Sequence, residues 1–314
     1  MPSRPSLPGR FRSALEIAAA GSLLGLAQWF PRRWLLASGA ATGELAFRFA
    51  RKHTRVALSN LECAFGDSLS PVERRRIARA CWHHFGRITA DAAAFHRLGP
   101  EHIGTRIRYE GLDQLRAAHA EGKGVLLISG HFGHWELTAY MQGFLGCPLL
   151  MITKPMRNPR VETMLAGLRS RSGNEIVPKA DAVRPSLKAL ARGIGVAVMI
   201  DQDARGSGIF VPFFGRPSST IPTVGTMHLR TGAAVVATFS YPEADGGWRI
   251  TYERMTFPGL TGNREQDVFR ITSETTALLE KRIRERPELW LWMHRRWKTL
   301  PPQPMARVAP TDIT

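Results

Sequence analysis

His131 and Glu136 stand five residues apart in the stretch SGHFGHWEL, directly after the apolar run GVLLIS. An imidazole can take a proton from a hydroxyl near neutral pH, and a carboxylate can orient the ring and stabilise its charged form. Inside one helix a spacing of five puts two side chains on different faces. The spacing therefore predicts His131 on a strand-to-helix turn and Glu136 in the first helical turn, where the helix dipole favours a carboxylate. Glu136 is then expected to reach the His131 ring and act as its partner. With no serine or cysteine nucleophile beside it, such a pair suits deprotonation of a substrate hydroxyl. The competing explanation is a polar strand end with only a packing role.

Several other chemistries lack their residues. A zinc site on His131 and His134 would want HExxH spacing and a third ligand, and neither is present. There is no G-x-S-x-G of a serine hydrolase. Gly122-Lys123-Gly124 precedes a strand instead of following one, so it is no phosphate-binding loop. Cys63, Cys81 and Cys147 form no CxxC pair and are odd in number, which predicts no disulfide framework and a reducing, cytosol-facing location.

The elements that must position His131 follow from hydrophobic patterning. From about residue 105, short apolar runs alternate with helical segments. GVLLIS (124–129), PLLMIT (148–153), NEIVP (174–178), GVAVMID (195–201), AVVATFSY (234–241) and WRITYERM (248–255) read as strands. Residues 157–173, 184–193, 223–232 and 264–287 read as helices. Continuous apolar strands alternating with helices predict an α/β fold, with a mostly parallel central sheet flanked by helices. Ligands bind beyond the carboxyl ends of such strands, where both His131 and Asp201 fall.

Upstream, residues 34–60 read as one helix. Ser70, Pro71 and Glu73 form a capping box that opens another, with Ile77, Cys81, Phe85 and Ile88 at helical spacing. Residues 14–31 are apolar, end in Trp29-Phe30-Pro31 and are flanked by arginines on both sides. They predict an interfacial or partly inserted membrane anchor, with a buried soluble helix as the alternative. The expected organisation is an N-terminal helical, membrane-associating region (1–100), an α/β catalytic domain (101–300) and a flexible tail (301–314). Among 314 residues, 43 Lys and Arg face 26 Asp and Glu, a net charge of +17 that attracts polyanions.

Four blocks in order, HFGHWE, DQD, FVPFFG and PELWLWMHRRWK, resemble the bacterial lipid A late acyltransferases, the lauroyl and myristoyl transferases of the lysophospholipid-acyltransferase-like superfamily. Arg55, Asn60-Leu61, Phe65 and Ser70-x-x-Glu73 also look like that family. The resemblance implies an O-acyltransferase with His131 as general base and Glu136 as its carboxylate partner. It places Arg169 near the active site for phosphate or oxyanion contact, with Arg171 as second choice; both could instead be solvated helix-end cations. Lys154, Asn158, Asp201 and Asp203 are expected to bind substrate or organise the site, and Phe213 and Phe214 to pack near an acyl channel or in the core. His294, Arg295 and Arg296 are read as a packed C-terminus or a basic face toward phosphate or membrane.

The implied donor is acyl-acyl carrier protein or acyl-CoA, used as co-substrate with no cofactor and no metal. The implied acceptor is an anionic, phosphorylated glucosamine lipid in the inner membrane, with the catalytic domain facing the cytoplasm and no nucleic acid as partner. Two alternatives stand beside it: an acyltransferase of the same superfamily acting on another glycolipid or aminolipid, and a non-catalytic lipid- or nucleic-acid-binding module.

Overall fold

The computed structural model describes residues 17–302, apart from 19, 20, 23, 24, 26, 28 and 157. The expected tail falls largely outside them, as does half of the apolar segment 14–31, whose described residues are helical up to Trp29. Among the described residues no helix is long and apolar enough to cross a membrane.

Seven strands form the central sheet: β1 (Ile107–Glu110), β2 (Val125–Ser129), β3 (Leu149–Thr153), β4 (Glu175–Pro178), β5 (Gly195–Met199), β8 (Ala234–Pro242) and β9 (Trp248–Met255). Their order is β1-β9-β8-β2-β5-β3-β4. Every neighbouring pair is parallel except β8 and β9. This is the mostly parallel α/β sheet that the patterning predicts. The central strand β2 is buried at all five positions, as expected of a strand covered on both faces. The patterning missed the short edge strand β1, the helix α4 (Leu112–Ala120) and the separate hairpin of β6 (Ile209–Phe213) and β7 (Arg216–Thr220), whose turn places Phe214 and Gly215 at positive φ.

The expected single helix over 34–60 is two: α1 (Arg32–Phe49) and α2 (Arg51–Phe65). Ala50 leaves helical geometry at ψ 53°, and the Thr54 hydroxyl donates to the freed Phe47 carbonyl. The next helix, α3 (Pro71–Ala92), starts as predicted: Ser70 accepts from Glu73 N–H while the Glu73 carboxylate accepts from Ser70 N–H. Helices α1 and α3 cross at glycines, and a Cβ on Gly43 would lie 2.2 Å from the Trp82 carbonyl oxygen. One hydrophobic core runs from Phe47 through Ile77 and Phe85 to the sheet and on to Trp290 and Trp292. The three cysteines are free.

Candidate active site

Sheet register alone brings two of the candidate residues together. Strands β2 and β5 are parallel neighbours with Ser129 opposite Met199. Two residues further along each strand lie His131 and Asp201, so they leave the sheet level with one another. The Asp201 Oδ1 accepts from His131 Nδ1 at 2.8 Å, and its Oδ2 accepts from the His131 backbone N–H at 2.7 Å. The Trp290 indole N–H donates to the same Oδ2 at 2.9 Å. The carboxylate is 3% exposed, so these bonds replace water it has lost.

Each member of this pair shifts the other. Burial raises the Asp201 pKa, but the charge of His131 and the three hydrogen bonds outweigh it and hold the carboxyl down at about 2. Burial works against a charged His131 ring; Asp201 overcomes it by charge and hydrogen bond, Glu136 adds a smaller pull, and the pKa stands above the ordinary histidine value. With Nδ1–H committed to Asp201, Nε2 is the nitrogen left to accept a substrate proton. Among the described residues its hydrogen-bonding neighbour is the exposed Gln202 amide, at 3.3 Å.

His131 therefore does not take Glu136 as its hydrogen-bond partner, contrary to what the spacing predicts. Glu136 lies in the first turn of α5 (Trp135–Gln142), as expected, but that turn carries the side chain away from the strand end toward helix α6 (Pro159–Ser170). There Arg169 clamps it with two hydrogen bonds, Nε to Oε2 at 2.9 Å and Nη2 to Oε1 at 2.7 Å. The structure thus commits Arg169 to Glu136, while Arg171 is exposed at the helix end without a hydrogen bond or ion pair among the described residues. Asn158 is buried and caps α6, its Oδ1 accepting from Arg160 N–H; it positions the helix that carries Arg169. Lys154 is exposed just past β3. Asp203 ties the chain beyond β5 to the C-terminal segment: its N–H donates to His294 Nε2, and its Oδ2 accepts from the Thr299 hydroxyl.

The turn between β2 and α5 is tightly enclosed. Gly133 sits at φ 58°, and a Cβ there would fall 1.9 Å from the Ser240 carbonyl oxygen. The Gly133 carbonyl accepts from the buried His84 ring, and Leu289 and Leu291 pair with Gly133 and His131 through backbone hydrogen bonds. His134 is buried, and burial pushes its pKa down to about 3, so it is neutral wherever His131 titrates. It serves as the helix cap, its Nδ1 accepting from Leu137 N–H.

An apolar cavity of about 290 Å³ opens beside this turn. Val161, Met164, Leu165 and Leu168 of α6 line one wall, Ile88 and Phe95 another, and Glu136 and Arg169 stand among the lining residues. The Trp135 indole lines it too and lies 5.1 Å from the His131 ring, so one side chain separates the cavity from that imidazole. Phe213 and Phe214 do not border this cavity. They are buried against Trp290, Trp292 and Trp297, the core alternative for those residues. Sequence reasoning missed Trp290 as an Asp201 donor and this cavity as a whole, although 161, 164, 165 and 168 trace an apolar helical stripe.

Residues 11–299 match the family described as bacterial lipid A biosynthesis acyltransferase. The chain is 28% identical over 269 residues to the lipid A biosynthesis palmitoleoyltransferase of Escherichia coli K12, covering 84% of each chain. It is 27% identical over 265 residues to the lauroyltransferase of the same organism, covering 84% of this chain and 85% of that one. It is also 23% identical over 226 residues to a phosphatidylinositol mannoside acyltransferase of Mycolicibacterium smegmatis, covering 70% of this chain and 72% of the relative. The chain belongs to the bacterial lipid A biosynthesis acyltransferase family and is an O-acyltransferase.

Proposed function

We propose that this protein moves a fatty acyl chain from an acyl thioester, acyl-acyl carrier protein, to a hydroxyl of a lipid A-type glycolipid precursor. The observation that carries the chemistry is the pairing of His131 Nδ1–H with Asp201, which leaves Nε2 to the exposed Gln202 amide alone, one indole away from an apolar cavity. The acceptor hydroxyl replaces the Gln202 amide at Nε2. His131 takes the hydroxyl proton as the oxygen attacks the thioester carbon. The carbonyl oxygen becomes an oxyanion, and the Arg169 N–H groups not used by Glu136 stabilise it. Collapse breaks the C–S bond and the imidazolium returns the proton to the thiolate, giving an ester and a free thiol. Asp201 holds the ring and its charge throughout. Glu136 fixes Arg169 and adds negative charge near the imidazolium. No acyl-enzyme forms, and no cofactor or metal takes part. The cavity along α6 takes the acyl chain, since its walls are apolar and its rim carries the charged pair.

The same proposal places the enzyme at the inner membrane with its catalytic face toward the cytoplasm. Trp29, Trp34, Leu45 and Phe49 are at least half exposed, and Arg33 and Arg51 lie among them. Aromatic side chains interleaved with cations suit a membrane interface. The net charge of +17 suits anionic lipid and an acidic carrier protein.

The test is direct. Purified protein incubated with acyl-acyl carrier protein and a phosphorylated glycolipid precursor should yield a product heavier by one acyl group. His131→Ala should abolish it; unchanged product from that variant would rule out the base. A hydroxyl-less amino acceptor acylated at equal rate would move the assignment to an aminolipid.

A further inference from the structure

A second groove, of about 660 Å³, lies between α2 and the C-terminal segment. Lys52 and Arg55 line it from the helix; Arg295 and Lys298 line it from the segment. No acidic residue lines it. All four cations are exposed, and among the described residues none has a hydrogen bond or an ion pair. Where an acid is in reach, arginines of this chain pair with it, as Arg32 does with Asp91, Arg192 with Glu175, Arg249 with Glu110 and Arg284 with Glu280; here four cations share one concavity that no acid lines. Four unpaired like charges around one concavity repel one another and raise the local affinity for an anion.

The groove is also rigid. Asn60 Nδ2 donates to the carbonyls of Trp292 and His294 at 2.8 and 2.6 Å, fastening the segment to α2. Trp297 stacks on Phe213 with ring centres 5.6 Å apart. The two walls, and with them the backbone positions of the four cations, are therefore fixed relative to one another before any ligand arrives, which lowers the entropy lost on binding. Two further features place the groove. Lys52 follows by three residues Phe49, which is 76% exposed on the face of α1 that also bears Trp34 and Leu45. Arg295 follows His294, whose ring accepts from Asp203 close to the His131–Asp201 pair.

We propose that this groove binds a phosphate monoester on the head group of the glycolipid acceptor. The inference rests on the acceptor being a glycolipid, as proposed above. A phosphate monoester carries between one and two negative charges near neutral pH, and guanidinium groups meet its oxygens in pairs. Bound there, the phosphate holds the head group beside the membrane-facing helix while its hydroxyl extends along the segment toward His131. Arg55 and Arg295 are thus specificity residues, set apart from the proton transfer.

The experiment compares a phosphorylated glucosamine lipid with the same lipid after phosphatase treatment, using full-length wild type and Arg55→Ala/Arg295→Ala. For the phosphorylated lipid, the double variant should raise KM about a hundredfold, roughly tenfold per lost cation, with kcat little changed. For the dephosphorylated lipid, wild type and variant should agree within about twofold. Equal losses on both lipids would overturn the proposal, as would a rise in KM confined to the acyl carrier protein, which would make the groove a protein-docking site. Phosphorus NMR titration supplies an arm independent of turnover. Wild type should perturb the phosphorus resonance of micellar phosphorylated lipid and the variant should not, and inorganic phosphate should compete only weakly. Tight binding of inorganic phosphate alone would mark a free-phosphate site and refute the head-group assignment. If wild type acylates neither lipid, the proposed function fails, and the titration still decides the groove.

Discussion

Asp201→Asn removes one charge and almost no volume, and its consequence can be worked from the hydrogen bonds. The carboxylate accepts at Oδ1 from His131 Nδ1 and at Oδ2 from both the His131 backbone N–H and the Trp290 indole. An amide has only one acceptor oxygen. Two fixed donors converge on the Oδ2 position, so the amide oxygen must take it and the NH2 must turn toward Nδ1. Nδ1 then has to accept, the ring proton moves to Nε2, and the lone pair needed by the substrate hydroxyl disappears. The same exchange of tautomers in the serine-protease triad lowers kcat by about 10⁴. A fall of about 10³- to 10⁴-fold in kcat, with KM little changed, is expected here. The residual activity carries a second signature. Burial alone pushes the His131 pKa down and Asp201 is the main group raising it, so the acidic limb of the pH–rate profile should move to lower pH. Initial rates of thioester-to-lipid transfer, read by mass spectrometry between about pH 5 and pH 9, test both. A variant within about tenfold of wild type and with an unmoved limb would refute the role of Asp201.

Glu136→Gln should lower kcat about ten- to a hundredfold by loosening Arg169, while moving the acidic limb less than Asp201→Asn does; a shift as large would mean that His131 depends on Glu136 for its basicity. Leu165→Trp should fill the cavity along α6 and cut kcat/KM for the longest accepted acyl chain about tenfold, two methylenes at about 0.8 kcal/mol each, sparing shorter donors; unchanged chain selectivity would place the acyl chain elsewhere. Gly133→Ala forces a Cβ onto the Ser240 carbonyl at positive φ and should destabilise the fold by at least about 2 kcal/mol in denaturant titration. Because the His131 pKa is raised on folding, the stability it contributes is complete below about pH 6.5 and is lost as pH rises through the folded value; denaturant midpoints measured across that window should flatten in Asp201→Asn. Trp34→Ser with Phe49→Ser should weaken binding to phosphatidylglycerol vesicles about tenfold or more, and a null result in sedimentation would remove this face from the membrane.

Much of this site is legible in the sequence because strands announce themselves. GVLLIS and GVAVMID are continuous apolar runs, and the polar residues that end them, His131 and Asp201, mark the strand ends where α/β proteins bind ligands. What the sequence conceals is which runs lie side by side. The partner of His131 is decided by the β2–β5 register, a contact between residues 70 apart in the chain, whereas Glu136 attracts attention only because it is near in sequence. Trp290 is hidden for the same reason, 89 residues from its acceptor. The break at Ala50 leaves no trace in composition, because a single non-helical ψ at an alanine is imposed by packing and by the Thr54 hydroxyl. The apolar stripe of α6 is visible at 161, 164, 165 and 168, yet periodicity says only that such a stripe is covered, not whether a cavity lies beneath it.

Residues 289–296 close the molecule around its own site. Leu289 and Leu291 bond the turn holding His131, Trp290 reaches Asp201, Asn60 grips the carbonyls of Trp292 and His294, and buried Arg296 anchors on Ser219 and Thr220. A growing polypeptide carries His131 and Asp201 long before it carries this stretch. Until the stretch is synthesised and seated, one carboxylate oxygen lacks its indole donor and the turn holding His131 lacks its two backbone bonds to Leu289 and Leu291. The surroundings of His131 and Asp201 are thus completed by the last part of the fold to be made, and a chain lacking residues 289–296 is expected to lose acyl transfer together with these bonds.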